Sequence, residues 1–177
     1  MFLTTEISGT SALNQSPIEK KEQLGKALGR LASGVFIVTC QSKGNPQGML
    51  ATWIAQAAFE PPMVTISINK QRDLAKVVAT EVELTINVLS NQNMDIFKAF
   101  AKPSSGQEQD RFTGLDVIVN PTGGPIFAKC VAYLNCRVAN VIEAGDHFVA
   151  LAEVLEGATL NDDAEPMTHF RKSGFQY

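Results

Sequence analysis

The chain contains 177 residues, of which 45% are hydrophobic and 19% are charged, and its formal net charge is −3. This length is typical of a single domain that buries a core without a metal or a disulfide. The acidic balance argues against a nucleic-acid partner, because the sequence has no basic stripe to replace phosphate counterions. It also shows no secretory leader and no apolar run long enough to span a membrane. We therefore expect a cytoplasmic protein without a membrane partner.

The N-terminal region changes character near Pro17. Residues 1–17 are rich in Ser, Thr and Asn and predict a flexible tail, or a linker from a preceding domain, before one folded domain over residues 18–177. Ser16 is a candidate N-cap and Pro17 fits a first helical turn. Leucines at helical spacing then predict a surface helix over residues 18–33.

After Gly34 the pattern predicts mainly β-strands. Alternating or β-branched runs cover residues 35–40, 63–68, 81–88, 130–138 and 147–154. Two short helical patterns cover residues 72–79 and 91–101. The connections are short and the strands do not alternate with helices, which disfavours a doubly wound parallel sheet. The predicted fold is therefore a mainly β, antiparallel closed or split barrel with a few short helices.

Few residues in this sequence fit a familiar catalytic pattern. Three cysteines without a CxxC pair, Cys40, Cys130 and Cys136, indicate free thiols in a reducing compartment. Cys130 and Cys136 alternate with apolar residues, so we expect them to pack in the core. The two histidines, His147 and His169, stand apart without a third ligand at metal-type spacing, and no metal site is predicted. Glycine-rich dinucleotide and phosphate-loop motifs are also missing.

The segment 48–62 is unusual because it begins with glycine, is rich in small residues and ends in a double proline. Small side chains allow a planar ligand to approach backbone N–H and C=O groups closely. The alternative interpretation is a strand that is tightly packed in the core.

The segment 67–73 is a second candidate site. It brings a hydroxyl, an amide and two cations (Ser67, Asn69, Lys70 and Arg72) to the point where a strand ends and a short helix begins. Such a group is suited to clamp a phosphate. An ordinary solvated loop is the alternative.

Seven short motifs follow one another in the order found in the flavin reductase-like FMN-binding family. They lie at residues 34–39 (GVFIVT), 48–50 (GML), 61–62 (PP), 67–70 (SINK), 84–89 (LTINVL), 110–114 (DRFTG) and 145–147 (GDH). The chain therefore resembles this split-barrel family over about residues 24–177. Residues 49–53 (MLATW) and 169–174 (HFRKSG) are most similar to the flavin reductase domain at the C-terminus of cyanobacterial-type flavodiiron proteins.

The resemblance implies where a cofactor binds. FMN, rather than FAD, is expected along Met49, Leu50, Ala51, Thr52 and Trp53, held largely by backbone atoms. Its phosphate is expected at Asn69, Lys70 and Arg72, with Ser67 or Thr52 nearby. His147 corresponds to the histidine that lies beside the flavin and faces the nicotinamide, a catalytic position, although a structural histidine is the alternative. Arg171 and Tyr177 are expected either to close the pocket or to form an exposed tail.

One departure from the family concerns hydroxyl groups. Residues 50–53 read Leu-Ala-Thr-Trp where common reductases have Thr-Val-Ser-Ser, and Gln56 replaces a further serine. Fewer side-chain hydroxyls are thus available to the flavin, whereas backbone contacts are unaffected.

The activity that the resemblance implies is an NAD(P)H:flavin oxidoreductase, in which hydride passes to flavin N5 and electrons continue to free flavin or a partner redox centre. The cofactors carry this chemistry, so the lack of an acid–base cluster is consistent with it. The expected partners are NADH or NADPH, flavin, a redox protein or fused flavodiiron core, and a second copy of the chain in a homodimer. The alternatives are an FMN-binding electron-transfer module without NAD(P)H activity, and a flavin-free split barrel such as a haem-handling relative.

Overall fold

A computed structural model describes residues 16–101 and 111–176. Strands dominate the described residues and are accompanied by two α-helices and a short 3-10 helix at Asp73–Lys76. The helices are α1 (Pro17–Leu28) and α2 (Met94–Ala101). The strands are β1 (Ser33–Gly34), β2 (Phe36–Ser42), β3 (Asn45–Ala51), β4 (Ile54–Phe59), β5 (Pro62–Asn69), β6 (Glu83–Val88), β7 (Val117–Ile118), β8 (Ile126–Phe127), β9 (Ala132–Ala144), β10 (His147–Thr159) and β11 (Thr168–His169).

Seven of these strands form one antiparallel sheet in the order β3-β2-β6-β9-β10-β5-β4. The tight turn between β2 and β3 places Lys43 and Gly44 at positive φ, 52° and 78°, as the twist of a two-residue hairpin requires. The prediction of a mainly β, antiparallel fold is confirmed. Neither α-helix in the described ranges is long and apolar enough to cross a membrane.

Both faces of the sheet are covered, because alternate residues of its central strands enter two separate apolar clusters. Val38, Ile66, Ile86 and Val138 belong to the first cluster. The second cluster packs β2 against α2 and includes Ile37, Leu89, Phe100 and Phe127. Successive side chains of a strand point to opposite faces, which explains why the neighbours Ile37 and Val38 enter different clusters. The expected core packing of Cys130 and Cys136 is confirmed, since both free thiols are fully buried.

The chain divides into two compact units. One unit contains Ser33 to His169, and the other combines the N-terminal part through Ala32 with the segment from Phe170 onward. In this second unit Ser16 and Glu19 form a reciprocal capping box at the start of α1, as the predicted N-cap requires. The C-terminal segment crosses the end of α1 at its glycines, where Gly174 N–H donates to Gly25 O and Arg171 N–H donates to Gly29 O.

Several predicted boundaries were wrong. Strand β9 spans Ala132–Ala144 rather than residues 130–138, and β10 extends to Thr159 rather than residue 154, because both extensions are mostly exposed and lack the apolar alternation. Helix α2 begins at Met94 rather than residue 91. Helix α1 ends at Leu28 rather than residue 33, because the C-terminal segment supplies hydrogen-bond donors to its last carbonyls. The helical pattern at 72–79 forms only a four-residue 3-10 helix, which ends at Lys76 and is followed by two β-branched residues, Val77 and Val78. Strand β6 begins at Glu83 rather than residue 81, since Glu81 adopts a positive φ of 67°. The predicted 1–17 tail lies outside the described residues, apart from Ser16 and Pro17 at the start of α1.

Candidate functional site

The small-residue segment 48–62 forms two strands, β3 and β4, and not one. These strands follow one another in the chain, yet they are the two outermost strands in the order of the seven-stranded sheet. Thr52 and Trp53 bridge them, and we call this junction the split. The outer edge of an end strand presents backbone N–H and C=O groups beyond those used within the sheet. The core-packing interpretation holds for Met49 and Ala51, which are buried, but not for Ala55 and Ala57, which are exposed, and the approach of a planar ligand stays a prediction.

Thr52 is the polar residue that is buried at the split. Its side chain is 9% exposed, and its Oγ1 has no hydrogen-bond partner among the described residues. A buried hydroxyl without a partner costs about 1–3 kcal/mol, so native proteins usually satisfy such a group. A ligand with a hydrogen-bonding edge at the split would satisfy it, and this chain therefore fits the group that the resemblance implies.

Strands β5 and β10 bring further predicted site residues to the split. Ser67 donates its N–H to Trp53 O at 3.0 Å, which ties β5 to the bridge. Asn69 is paired in register with His147, the first residue of β10. Residues distant in the sequence are thus brought together, namely Thr52 and Trp53 at the split, Ser67 and Asn69 on β5, and His147 on β10.

His147 is held from two sides. Its Nδ1 lies 2.8 Å from the Oδ1 of Asp146, and its ring centroid lies 5.0 Å from that of Trp53 at an interplanar angle of 39°. The imidazole is 8% exposed, whereas the carboxylate of Asp146 is largely exposed. The hydrogen bond from His147, with a smaller contribution from the Lys70 charge, lowers the pKa of Asp146. An ionised Asp146 thus fixes the orientation of the buried ring.

The two cations predicted to bind phosphate differ in their contacts. Lys70 Nζ forms an ion pair with Glu143 Oε2 at 3.0 Å and lies 5.1 Å from the centre of the Phe148 ring. Arg72 is half-buried just before the 3-10 helix, and within the described ranges its side chain has no ion-pair partner. Asn69 uses its Oδ1 to accept the N–H of Gln71 at 2.9 Å. The loop is therefore ordered by its own contacts and carries one cation without a carboxylate partner in the described structure.

Arg171 belongs to the other compact unit. There its guanidinium donates to Leu28 O at 3.4 Å and to Gly174 O at 3.3 Å, near the C-terminal end of α1. These contacts tie the side chain of Arg171 to the last helical residue, Leu28, whose carbonyl also accepts the N–H of Leu31. The predicted role of Arg171 beside the flavin stays a prediction, and Tyr177 lies outside the described residues.

Two features of the site were not found by sequence reasoning. The sequence carries the motif that contains Asp146, but nothing in it indicates that this carboxylate orients His147. The unpartnered hydroxyl of Thr52 depends on which strand edges remain open, so it has no sequence signal. Over the described ranges, the structure has no group of three His, Cys, Asp or Glu side chains that could hold a metal.

Comparison with known proteins identifies relatives of this arrangement. The sequence model of the family described as "Flavin reductase like domain" matches residues 28–176. Diflavin flavoprotein A 1 of Synechocystis sp. is 33% identical over 155 residues, which are 87% of this chain and 27% of that protein. A related diflavin flavoprotein of Nostoc sp. is 37% identical over 153 residues, with 86% of this chain and 27% of the relative covered. The chain therefore spans about a quarter of the length of these curated relatives.

Solved structures agree with the sequence comparisons. The NADH:FAD oxidoreductase SgcE6 of Streptomyces globisporus C-1027 superposes with a TM-score of 0.74 and 26% identity, covering 83% of this chain and 86% of that one. The same protein solved in complex with NAD and FAD fragments gives a TM-score of 0.72 and 27% identity, with the same coverage. These structures confirm the predicted split-barrel fold.

Proposed function

We propose, since the chain belongs to the flavin reductase-like domain family of oxidoreductases, that it binds FMN at the split and catalyses the reduction of this flavin by NADH or NADPH. The observation that carries the proposal is the split itself. It combines open strand edges, a buried hydroxyl without a partner in the described structure, and a buried histidine held against Trp53. The similar SgcE6 structure, which is named for NADH and FAD, supports a nicotinamide cofactor as the electron donor.

The ring of the flavin would be held mainly by main-chain atoms. Its polar edge is a row of donors and acceptors, and the outer edges of β3 and β4 carry complementary N–H and C=O groups. Met49, Leu50 and Ala51 supply this backbone on β3, and Thr52 adds its buried hydroxyl. Loss of the family's serines at this segment removes side-chain donors but leaves the main chain unchanged.

The phosphate of FMN would be held at residues 67–72. Arg72 is the first candidate, because its guanidinium has no ion-pair partner in the described ranges. Lys70 is paired with Glu143, whose side chain is 78% exposed, and exposed ion pairs contribute only about 0–1 kcal/mol. A phosphate dianion can therefore compete with Glu143 for Lys70. Ser67 and the loop amides are further donors nearby.

The protein's part in the reaction is to orient two planar groups and to exclude water. A flavin bound at the split would supply the redox chemistry, namely hydride acceptance from the nicotinamide and onward electron transfer. Asp146 holds the ring of His147, and Trp53 packs beside it, so this wall of the site is rigid. We propose that His147 contacts the nicotinamide, with a positioning role that needs no proton transfer.

The relatives suggest where the electrons go next. This chain aligns with 27% of the length of each of two relatives that are named diflavin flavoproteins. We propose that the acceptor is a second redox centre, either free flavin or a flavodiiron core in the same or a partner protein. An FMN-binding electron-transfer module without NAD(P)H activity of its own is the alternative.

A homodimer is part of the proposal. Three large apolar side chains on strands of the sheet are exposed, namely Phe59 (87%), Ile142 (53%) and Leu155 (43%). We propose these three side chains as candidate residues of the homodimer interface that the family resemblance implies. Light scattering on the purified chain is expected to give twice the monomer mass, and a monomeric mass at micromolar concentration would refute this part.

Anaerobic titration tests the activity. The purified protein, loaded with FMN, is mixed with NADH or NADPH in the absence of oxygen while flavin absorbance near 450 nm is followed. Loss of the absorbance supports the reductase. Retained absorbance with tightly bound FMN would favour the electron-transfer alternative, and failure to bind FMN would refute the proposed site.

The double substitution Lys70→Ala with Arg72→Ala tests the phosphate assignment. FMN affinity is expected to fall by about tenfold or more, because charge-assisted hydrogen bonds are lost, while riboflavin affinity changes little. Lys43→Ala with Lys98→Ala is the matched control, since it removes two exposed cations elsewhere. An equal loss for FMN and riboflavin would contradict the assignment.

A further inference from the structure

The unit built from α1 and the C-terminal segment contains a basic cavity that the proposed function does not use. Its volume is about 380 Å³, and it is lined by Lys26, Arg30, Phe170, Arg171 and Lys172. Four of these five residues are cationic. This volume falls within the range of small-molecule sites, roughly 300–1,000 Å³.

Charge is distributed unevenly between the two units. Residues 16–32 and 170–176 contain six Lys or Arg and two Glu, although the whole chain carries a net charge of −3. Residues 33–169 contain nine Lys or Arg and fifteen Asp or Glu. The basic cavity therefore lies in a cationic unit of an acidic protein, which general surface solubility does not require.

Three of the four cations of the cavity have no ion-pair partner in the part of the chain that the structure describes, namely Lys26, Arg30 and Lys172. Arg171 is fixed by its hydrogen bonds to Leu28 O and Gly174 O, so one guanidinium is held in place at the cavity. Cations near the end of α1 are favourable for the helix dipole, but this effect is small and does not call for four of them around one cavity. A bound anion would relieve their mutual repulsion.

The aromatic side chain of Phe170 indicates which class of anion the cavity binds. Phe170 is 63% exposed and lines the same cavity as the four cations. A cluster of Lys and Arg recognises phosphate oxygens, and an exposed aromatic ring stacks on a planar base. We propose that this cavity is a nucleotide site, separate from the flavin site, in which a diphosphate lies among the cations and the base lies against Phe170.

Calorimetry with ADP and, separately, with inorganic pyrophosphate tests the proposal on the full chain after saturation with FMN. Wild type is expected to bind ADP more tightly than pyrophosphate, because only ADP can stack on Phe170. Lys26→Gln with Lys172→Gln is expected to weaken ADP binding by about tenfold or more. Arg171 is left unchanged, since its loss would disturb the end of α1.

Lys43→Gln with Lys98→Gln is the control, because it changes the net charge equally at exposed sites outside the cavity. Phe170→Ser is expected to weaken ADP about fivefold or more while leaving pyrophosphate unchanged. No ADP binding at millimolar concentration, or equal weakening by the control pair, would overturn the proposal. Equal affinity for ADP and pyrophosphate would overturn the nucleotide assignment.

A measurement of FMN affinity distinguishes failure of the nucleotide site from failure of the proposed flavin site. FMN affinity, measured by flavin absorbance, is expected to be the same in the Lys26→Gln, Lys172→Gln variant and in wild type. A parallel loss of FMN and ADP would show that the cations serve the flavin, and would overturn a separate site. If the chain does not bind FMN, the ADP titration is made without flavin, and the Lys26→Gln, Lys172→Gln variant then shows whether ADP binds at the cavity, since these residues do not line the split.

Discussion

Two regions of the sheet bury polar side chains, and they treat those groups in opposite ways. Four buried polar residues of β2, β6 and β9, together with one from the segment between β7 and β8, form what we call the amide cluster: Thr39, Thr85, Asn87, Asn135 and Asn120. All five are buried and hydrogen-bonded. At the split, Thr52 is buried and its hydroxyl has no partner within the described structure. The protein therefore contains a buried polar cluster whose members are hydrogen-bonded and a buried hydroxyl that has no hydrogen-bond partner in the described structure.

The amide cluster is closed by the segment that leads to β8. Thr85 Oγ1 lies 2.9 Å from Asn135 Oδ1 and 3.0 Å from Gly124 O, and Asn120 Nδ2 donates to both Thr85 Oγ1 and Asn135 Oδ1. Gly124 must be a glycine here, because a Cβ would collide with the backbone between Thr39 and Cys40. The chain thus covers its own polar groups at this place, and no ligand is needed.

The difference teaches how to separate structure from function among buried polar residues. A network whose members satisfy one another stabilises the fold and specifies its packing. A single buried hydroxyl without a partner costs stability, and a ligand that hydrogen-bonds to it would offset that cost.

The largest effect is expected from Asn87→Leu in the amide cluster. Asn87 accepts the N–H of Phe127 at 2.9 Å and donates to Ile37 O at 3.2 Å, so its loss leaves buried partners unsatisfied. The free energy of unfolding is expected to fall by about 3 kcal/mol. Urea denaturation measures it. Asn91→Leu, at an exposed position, is the control, and an equal change in both variants would contradict the structural role of the cluster.

Alkaline pH is expected to lower the free energy of unfolding by a smaller amount than Asn87→Leu does. Burial raises the pKa of Cys130 from 9.0 to about 11 and that of Cys136 to about 12. As the pH rises above 9.0 towards these pKa values, the unfolded chain loses thiol protons that the folded chain keeps. The free energy of unfolding therefore falls as the pH rises. The two thiols together lower the free energy of unfolding by about 2 kcal/mol between pH 9 and pH 10.

Denaturation at several pH values measures this slope. Cys136→Ala supplies the control, because one of the two buried thiols is then absent. The variant is expected to retain about half of the slope assigned to the thiols, whatever its stability at neutral pH. An unchanged slope would show that these thiols do not titrate as their burial requires.

The smallest but most discriminating effect comes from one substitution made in both regions. Thr52→Val removes an unsatisfied hydroxyl, so the flavin-free protein is expected to keep its stability while FMN affinity falls by about fivefold to tenfold. Thr39→Val removes a hydroxyl that donates to Pro125 O at 2.8 Å, so stability falls by about 1 kcal/mol and FMN affinity is unchanged.

Thermal denaturation without flavin and fluorescence titration with FMN measure the two readouts. The contrast fails when Thr52→Val destabilises the flavin-free protein as much as Thr39→Val does. It also fails when both variants bind FMN with the affinity of wild type. Either result would remove the main argument for a ligand at the split.

Local patterns in the sequence were sufficient for much of the fold. Alternation of Val64, Ile66 and Ile68 located β5, and the Ser16–Pro17 pair located the start of α1, because strand period and helix capping depend on neighbouring residues. The order of seven short motifs was sufficient for the family. The same alternation placed Thr85 and Asn87 on the polar side of β6, but it could not show that a segment some 35 to 40 residues later covers that side.

Local sequence patterns were thus enough to predict the mainly β composition, the buried thiols and the family. Only the tertiary structure decided that the small-residue segment divides into the two end strands of one sheet, and that Asp146 holds His147 beside Trp53. It also decided that Arg171 caps α1 and lines a basic cavity with Lys26. The physical reason is that pairing order, burial and counter-charges depend on contacts between residues far apart in the chain, which no local period records.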